Sequence, residues 1–499
     1  MERRNSDRIP VDIPIRLESC AVKGKIVNLT EDGCGLSLEE PLASLDCSEL
    51  IFEHGSGNSL HAQIKILWEE KKNESAFFCG GTLIGSDETA QKVLEKILDR
   101  AENAYYRVPQ DRESESLQDA VVKRREWITE RTRTKCEHLA HTSLDPESIR
   151  ANIENFIGVT QVPLGIAGPL RVNGEHAKGI FYVPFATTEG TLVATYQHGM
   201  LALTKSGGAN VVVTKSVLDI SPMFILEDIS QAKEFIHWQE NHFDQIKDAA
   251  ESTTHHGKLL KIRAYSLGRR VLLNFQYHTA DAMGLNMINI ATHRACEYIM
   301  GQTKAERFYL RANLSSDKKV SFFNLINSYG KEVLAEATIS KEIMRKYLHC
   351  TVEQMYDFCW SGTMGSIQAG MVGMNAHFAN GLAAIFIACG QDVAQIVNAS
   401  IGMSMPEITK DGDFYVSIKL PNLVIGTIGG GTRIGTQREC LELMDCYGDG
   451  KAEKFAEIVA AALLGGELTL SAALASGNFI HAHAEKRKMA PILEKEERN

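Results

Sequence analysis

Four side chains stand in settings suited to acid–base chemistry. Lys318 lies in Asp317-Lys318-Lys319, Glu189 in Ala186-Thr187-Thr188-Glu189-Gly190, Asp392 in Gly390-Gln391-Asp392 and His483 in His481-Ala482-His483. A lysine, two carboxylates and a histidine can together stabilise a developing oxyanion, protonate a leaving group and supply a further proton. Each residue alone has an ordinary use as well: a solvated lysine pair, an acid at a helix N-terminus, a cap, or one of the chain's 16 histidines.

These motifs alternate with glycine-marked segments. They are Glu154-Asn155-Phe156-Ile157-Gly158 running to Pro163-Leu164-Gly165-Ile166-Ala167-Gly168-Pro169, then Asp281-Ala282-Met283-Gly284-Leu285-Asn286, then Gly426-Thr427-Ile428-Gly429-Gly430-Gly431-Thr432. In this order the motifs resemble the hydroxymethylglutaryl-CoA (HMG-CoA) reductase family, of the class found in eukaryotes and some prokaryotes, over about residues 125–490. The resemblance implies NADPH-dependent reduction of an acyl-CoA through hemithioacetal and aldehyde to an alcohol, HMG-CoA to mevalonate in the family. It gives Lys318 the oxyanion, Glu189 the carbonyl proton and His483 the departing thiolate. Asp392 would sit between Lys318 and Glu189 and tune both pKa values. It also implies a homodimer with the active site at the subunit interface.

The segment Asp281–Asn286 is not a G-x-G-x-x-G fingerprint. A single glycine before a helical stretch lets backbone N–H groups approach a pyrophosphate. By resemblance Asp281, Met283, Gly284 and Asn286 bind the nicotinamide cofactor together with Gly429 and Gly430. They would sit on an inserted ferredoxin-like subdomain over 221–308, where a β-like run, a helical run Ile229–Ala250, two more β-like runs and a final helix fit. His255, His256 and Lys258 stand where the family's NADPH users place arginine for the 2′-phosphate, and a partly basic site favours NADPH.

For the acyl-CoA substrate the resemblance implies Asn313, Asp317, Lys319, Arg311, His377 and Asn380. The departures from the family pattern cluster here. Asp219-Ile220-Ser221-Pro222 replaces a T-R-x-P stretch, Trp360 falls on a second family cation, and Tyr196-Gln197-His198-Gly199 lacks its usual arginine. Arg311 stands where serine is usual, so one positive charge is moved rather than lost. An unpaired carboxylate in an apolar pocket costs several kcal/mol, which leaves an uncharged acyl-CoA as the alternative substrate. A non-catalytic ligand-binding module is the alternative of another class.

At the N-terminus, Arg4-x-x-x-Arg8 precedes Asn28-Leu29-Thr30-Glu31-Asp32-Gly33. Arginines on an arm can fork onto phosphates or guanine edges. The pair of motifs resembles the PilZ domain, a cyclic di-GMP receptor, with Thr30 keeping the hydroxyl of the usual serine. Arg4, Arg8, Asn28, Thr30 and Gly33 are the implied contacts.

The elements that must position these residues fall into two blocks. Val11–Leu17, Lys23–Asn28, His61–Trp68 and Ala76–Leu83 are β-like runs of a small barrel, and a charged helical segment covers Asp111–Thr134. The expected class is α+β: a PilZ-like β-barrel over 1–105, then a large α/β domain over 106–499 carrying the inserted subdomain. With 499 residues, 44% of them hydrophobic, the chain can bury two or three cores, and a net charge of −10 argues against a nucleic-acid partner. Eleven scattered cysteines without metal-ligand spacing read as reduced thiols, with no metal expected. No signal peptide and no apolar run of ~20 residues is apparent, so a cytoplasmic protein without a membrane partner is expected.

Overall fold

The computed structural model describes residues 9–17, 22–30, 33–42, 47–54, 58–73, 76–86, 92–98, 107–110, 116–254 and 256–477. The chain forms two compact units, residues 1–147 with 153–159, and 148–152 with 160–499.

In the first unit, alternation dictates the strands. Ile13, Ile15 and Leu17 are buried while Asp12, Pro14 and Arg16 are exposed, and Ala62, Ile64 and Ile66 repeat the pattern against Gln63, Lys65 and Leu67. Strands β1 (Ile9–Leu17), β2 (Val22–Leu29), β3 (Gly33–Leu38), β4 (Cys47–His54), β5 (Asn58–Asn73) and β6 (Ala76–Ser86) close into a barrel in the order β1-β2-β3-β6-β5-β4. Closure leaves no free sheet edge. Helix α1 (92–98) adds Leu94 and Leu98 to the barrel core. The four sequence-level runs all lie within strands; β3 and β4 were not anticipated. Helix α2 (Leu117–Thr132) starts where the Ser116 hydroxyl accepts the Asp119 N–H at 3.1 Å.

The second unit is organised by one long strand. Its elements are β7 (Leu164–Gly174), β8 (Lys178–Ala186), α3 (Leu192–Lys205), β9 (Ala209–Ile220), β10 (Met223–Ile225), α4 (Ile229–Asn241), α5 (Phe243–Glu251), β11 (Lys258–Leu267), β12 (Arg270–His278), α6 (Leu285–Gln302), β13 (Arg307–Tyr309), β14 (Gly330–Ile339), α7 (Val352–Gln368), α8 (Phe378–Ala388), β15 (Met403–Ile408), β16 (Phe414–Leu423) and α9 (Ala452–Ala475). The early part of β9 pairs with β14, and its last residues, Leu218–Ile220, pair with β12. One strand thus serves both the large core and the smaller one. The smaller core carries β10, helices, β11, β12, a helix and β13, in sheet order β13-β10-β12-β11, a ferredoxin-like arrangement. The expected single helix over Ile229–Ala250 is two helices meeting at His242, whose ring stacks on Trp238 at 4.5 Å.

Helix α9 corrects a second expectation. By length and composition it is apolar enough to cross a membrane, yet it runs through the large core, most of it buried. Three carboxylates fix what surrounds it. Asp281 accepts the N–H groups of Gly450, Lys451 and Ala452 at 2.9, 3.0 and 3.0 Å. Glu457 accepts those of Glu175, His176 and Ala177, and Glu467 those of Ala376 and His377.

Candidate active site

Lys318 sits on the loop between β13 and β14 with its backbone at φ 56°, and its Nζ lies 2.6 Å from Asp392 Oδ2. Asp392 opens a single 3-10 turn, Val393–Gln395, and its other oxygen accepts the Ala394 N–H at 3.1 Å. The far end of that turn holds the neighbouring residue: Gln395 Nε2 donates to Asp317 Oδ1 at 2.8 Å. Arg311 Nη1 donates to Asp317 Oδ2 at 2.8 Å and its Nε to Asn289 Oδ1 at 3.0 Å. Burial raises the Asp317 pKa, but hydrogen bonds from Gln395 and Arg311 outweigh it and hold the carboxyl below its usual range. Lys319 Nζ donates to the Asp317 carbonyl at 3.2 Å, and Asn313 is exposed at φ 63°.

Beside the Lys318–Asp392 pair, the two glycine-marked segments cross. Thr427 N donates to Asp281 O at 2.8 Å, and a Cβ on Gly426 would meet Met283 N at 2.6 Å. Gln391 clasps Gly426 through Nε2 to its carbonyl at 3.0 Å and Oε1 from its N–H at 2.8 Å, so Asp392 is one residue from this crossing. Gly284 precedes α6 at φ 82°, with the Thr279 side chain filling the place of a Cβ; only glycine suits both demands. Asn286 is exposed on the first turn of α6, and Gly429 and Gly430 have φ 75° and 51°. The Asp281 carboxylate is engaged with the start of α9, a structural use the sequence motif did not reveal. Lys258, placed by its motif for a 2′-phosphate, pairs its Nζ with Glu251 Oε2 at 3.1 Å. His255 lies outside the described residues.

Glu189 belongs to a different group. It accepts a hydrogen bond from Asn380 Nδ2 at 2.9 Å, and its N–H donates to Thr187 Oγ1 at 2.9 Å. Asp392 was expected between Lys318 and Glu189; it contacts Lys318, but among the described residues no hydrogen bond or ion pair joins it to Glu189. His377 precedes α8, buried, its ring stacked on Tyr196 at 5.3 Å and its Nδ1 without a partner. Burial, opposed by Glu189, lowers its pKa and so favours the neutral ring. Gln197 accepts the Gly168 N–H at 3.1 Å and donates to the Gly168 carbonyl, joining two predicted segments. His483 lies outside the described residues.

The expected acyl pocket departs from its motifs in a specific way. Ile220 is only 1% exposed in the core of the smaller subdomain, whereas Trp360 on α7 is 53% exposed. Sequence reasoning missed Gln395, Asn289 and Glu467, whose partners lie far along the chain and follow no local pattern. In the barrel, the Asn28 amide packs on Gly35, and Thr30 and Gly33 flank the β2–β3 connection. Arg4 and Arg8 lie outside the described residues.

The sequence profile of hydroxymethylglutaryl-coenzyme A reductase matches residues 120–488, and that of the PilZ domain matches residues 2–100. The 3-hydroxy-3-methylglutaryl-coenzyme A reductase of Methanocaldococcus jannaschii is 45% identical over 370 residues, covering 72% of this chain and 91% of that protein. Its counterpart in Pyrococcus horikoshii is 41% identical over 408 residues, covering 80% and 98%. Among solved structures, the class II 3-hydroxy-3-methylglutaryl-CoA reductase of Streptococcus pneumoniae bound to NADPH in open conformations aligns with a TM-score of 0.55 at 16% identity, over 72% of this chain and 97% of that one. That likeness concerns the fold alone. Identity across most of the chain, together with the profile match over 120–488, shows that this chain belongs to the hydroxymethylglutaryl-coenzyme A reductase family and carries a PilZ domain at its N-terminus.

Proposed function

We propose that this chain reduces a coenzyme A thioester to an alcohol with two equivalents of NADPH, as HMG-CoA is reduced to mevalonate. One observation carries the reading: the Lys318–Asp392 pair, at 2.6 Å, stands beside the crossing of Asp281–Gly284 and Gly426–Gly431. Asp392 orients a cation, and backbone without side chains lies next to it, which suits a carbonyl oxygen meeting a dinucleotide. A bound nicotinamide supplies the two hydrides. Lys318 compensates the charge that develops on the carbonyl oxygen at each transfer, and Glu189, oriented by Asn380, is the proton source for that oxygen. His483 is assigned the thiolate proton. Two hydrides and two protons convert the thioester to alcohol and free coenzyme A thiol.

The complete site is proposed to form between two copies of the chain. Among the described residues no hydrogen bond or ion pair joins Lys318–Asp392 to Glu189–Asn380 within one chain, and α7 leaves Trp360, Met364 and Ile367 exposed. The barrel is proposed as a cyclic di-GMP receptor. The cytoplasm is the proposed location, which suits the thiols of Cys296 and Cys389.

A second substrate reading, an uncharged acyl thioester, is favoured by Trp360, whose large exposed apolar face suits a hydrocarbon. Full-length protein mixed with NADPH and a panel of acyl-CoAs, HMG-CoA included, is the test. NADPH oxidation dependent on a thioester is expected, and the preferred thioester chooses between the readings. No oxidation with any thioester would overturn both.

A further inference from the structure

We propose that Arg311 is a positioning residue for Lys318: acting through Asp317, it fixes the loop that sets Lys318 against Asp392, and it is not the receptor of an acyl carboxylate. The proposal rests on the role assigned above to Lys318.

The loop is costly in backbone terms. Asn313, Ser316 and Lys318 all have left-handed φ, at 63°, 50° and 56°, and none is glycine. Three such residues in six persist only where the surroundings over-determine them. Two asparagines hold the backbone, Asn324 on the Ser315 carbonyl at 3.0 Å and Asn398 on the Ser316 carbonyl at 3.0 Å. What orients the side chains is a pair of rungs onto one turn, Asp317 to Gln395 and Lys318 to Asp392. Because Asp392 and Gln395 bound the same 3-10 turn, tilting Asp317 also moves Lys318. Gln395 grips one oxygen of Asp317, and Arg311 grips the other while its Nε is held by Asn289 on α6. The loop is thereby tied to the helix that follows the cofactor segment.

The electrostatics point the same way. The Asp317 side chain is only 14% exposed, and it acts as a neighbouring acid on Asp219, itself 3% exposed and, among the described residues, with no hydrogen-bond partner at Oδ1. A carboxylate that drew Arg311 away would leave Asp317 short of its cation beside a second acid. An incoming acyl carboxylate must therefore compete with one already in place.

The test uses full-length protein carrying Arg311→Met, Arg311→Lys or Asn289→Ala, the last removing only the other anchor of Arg311. Steady-state kinetics are measured on HMG-CoA and on an uncharged acyl-CoA of similar length. Lys318 acetylation by trace acetic anhydride is followed in parallel by mass spectrometry. With Arg311→Met, kcat is expected to fall about tenfold or more on both thioesters with KM within about twofold. Lys318 labelling should rise severalfold, Arg311→Lys should recover part of both losses, and Asn289→Ala should give the same pattern in weaker form. A rise in KM confined to HMG-CoA, with kcat and labelling unchanged, would make Arg311 a carboxylate receptor and overturn the proposal. Unchanged kinetics and labelling would overturn it too. If the wild type turns over no thioester, the functional reading fails while the labelling still decides whether Arg311 positions Lys318.

Discussion

Asp219 is a carboxyl almost wholly out of water, at the end of β9. Burial pushes its pKa up to about 7, against a hydrogen bond from Asn274 and the attraction of Arg263, with Asp317 adding to the rise. The folded chain therefore keeps a proton that the unfolded chain releases from about pH 4 upward, so stability declines as pH rises through that window to about 7. Asp219→Asn stays neutral throughout. Urea unfolding of wild type is expected to weaken between pH 5 and pH 8 by on the order of a few kcal/mol more than unfolding of the variant; parallel slopes would show that Asp219 is ionised when folded. Asp219-Ile220-Ser221-Pro222 reads locally as a polar turn, and nothing in it announces such burial. Lys318 and Asp392, by contrast, were legible as motifs. Which acid each basic group meets was legible only for Lys318, because the partners of Arg311 depend on how a distant turn and α6 are placed.

At the scale of elements, period-two alternation disclosed β1, β2, β5 and β6. It left out β3, where Gly33 and Gly35 resemble a turn, and β4, where Glu49 and Glu53 interrupt the apolar run. The inserted subdomain was legible from its order of β-like and helical runs. The ties between segments were not, and Asp281 is the clearest case. Its carboxylate accepts three N–H groups at the start of α9, satisfying donors that a helix leaves open and complementing its dipole. The residue thus fastens the Asp281–Asn286 segment to the central helix. Asp281→Ala is expected to cost about 1–2 kcal/mol of stability, the range of a lost helix cap, and to weaken NADPH binding as the segment loosens. Thermal unfolding and NADPH titration check this together. Weaker NADPH binding at unchanged stability would instead make Asp281 a direct cofactor ligand.

For the whole molecule, the question is how one chain uses two separate sets of reactive groups. Lys318 and Asp392 form one set on the loop after β13 and the turn before residue 396; Glu189 and Asn380 form the other, before α3 and on α8. Hydride transfer to a carbonyl needs a cation and a proton source at the same oxygen, within hydrogen-bond reach. If two copies bring the sets together, each site takes Lys318 from one subunit and Glu189 from the other. Then Glu189→Gln and Lys318→Ala homodimers are both inactive for different reasons. A mixed dimer contains one site with both defects and one with neither. Random exchange makes half the dimers mixed, each with one intact site of two, so about a quarter of wild-type activity should return. Co-refolding the two variants gives the measurement. Recovery near that fraction, with each variant alone inactive, is the expected result. No recovery from a mixed dimer shown to have formed would mean that Glu189 and Lys318 act within one chain, and that the separation between the two sets closes by a movement of that chain on binding substrate.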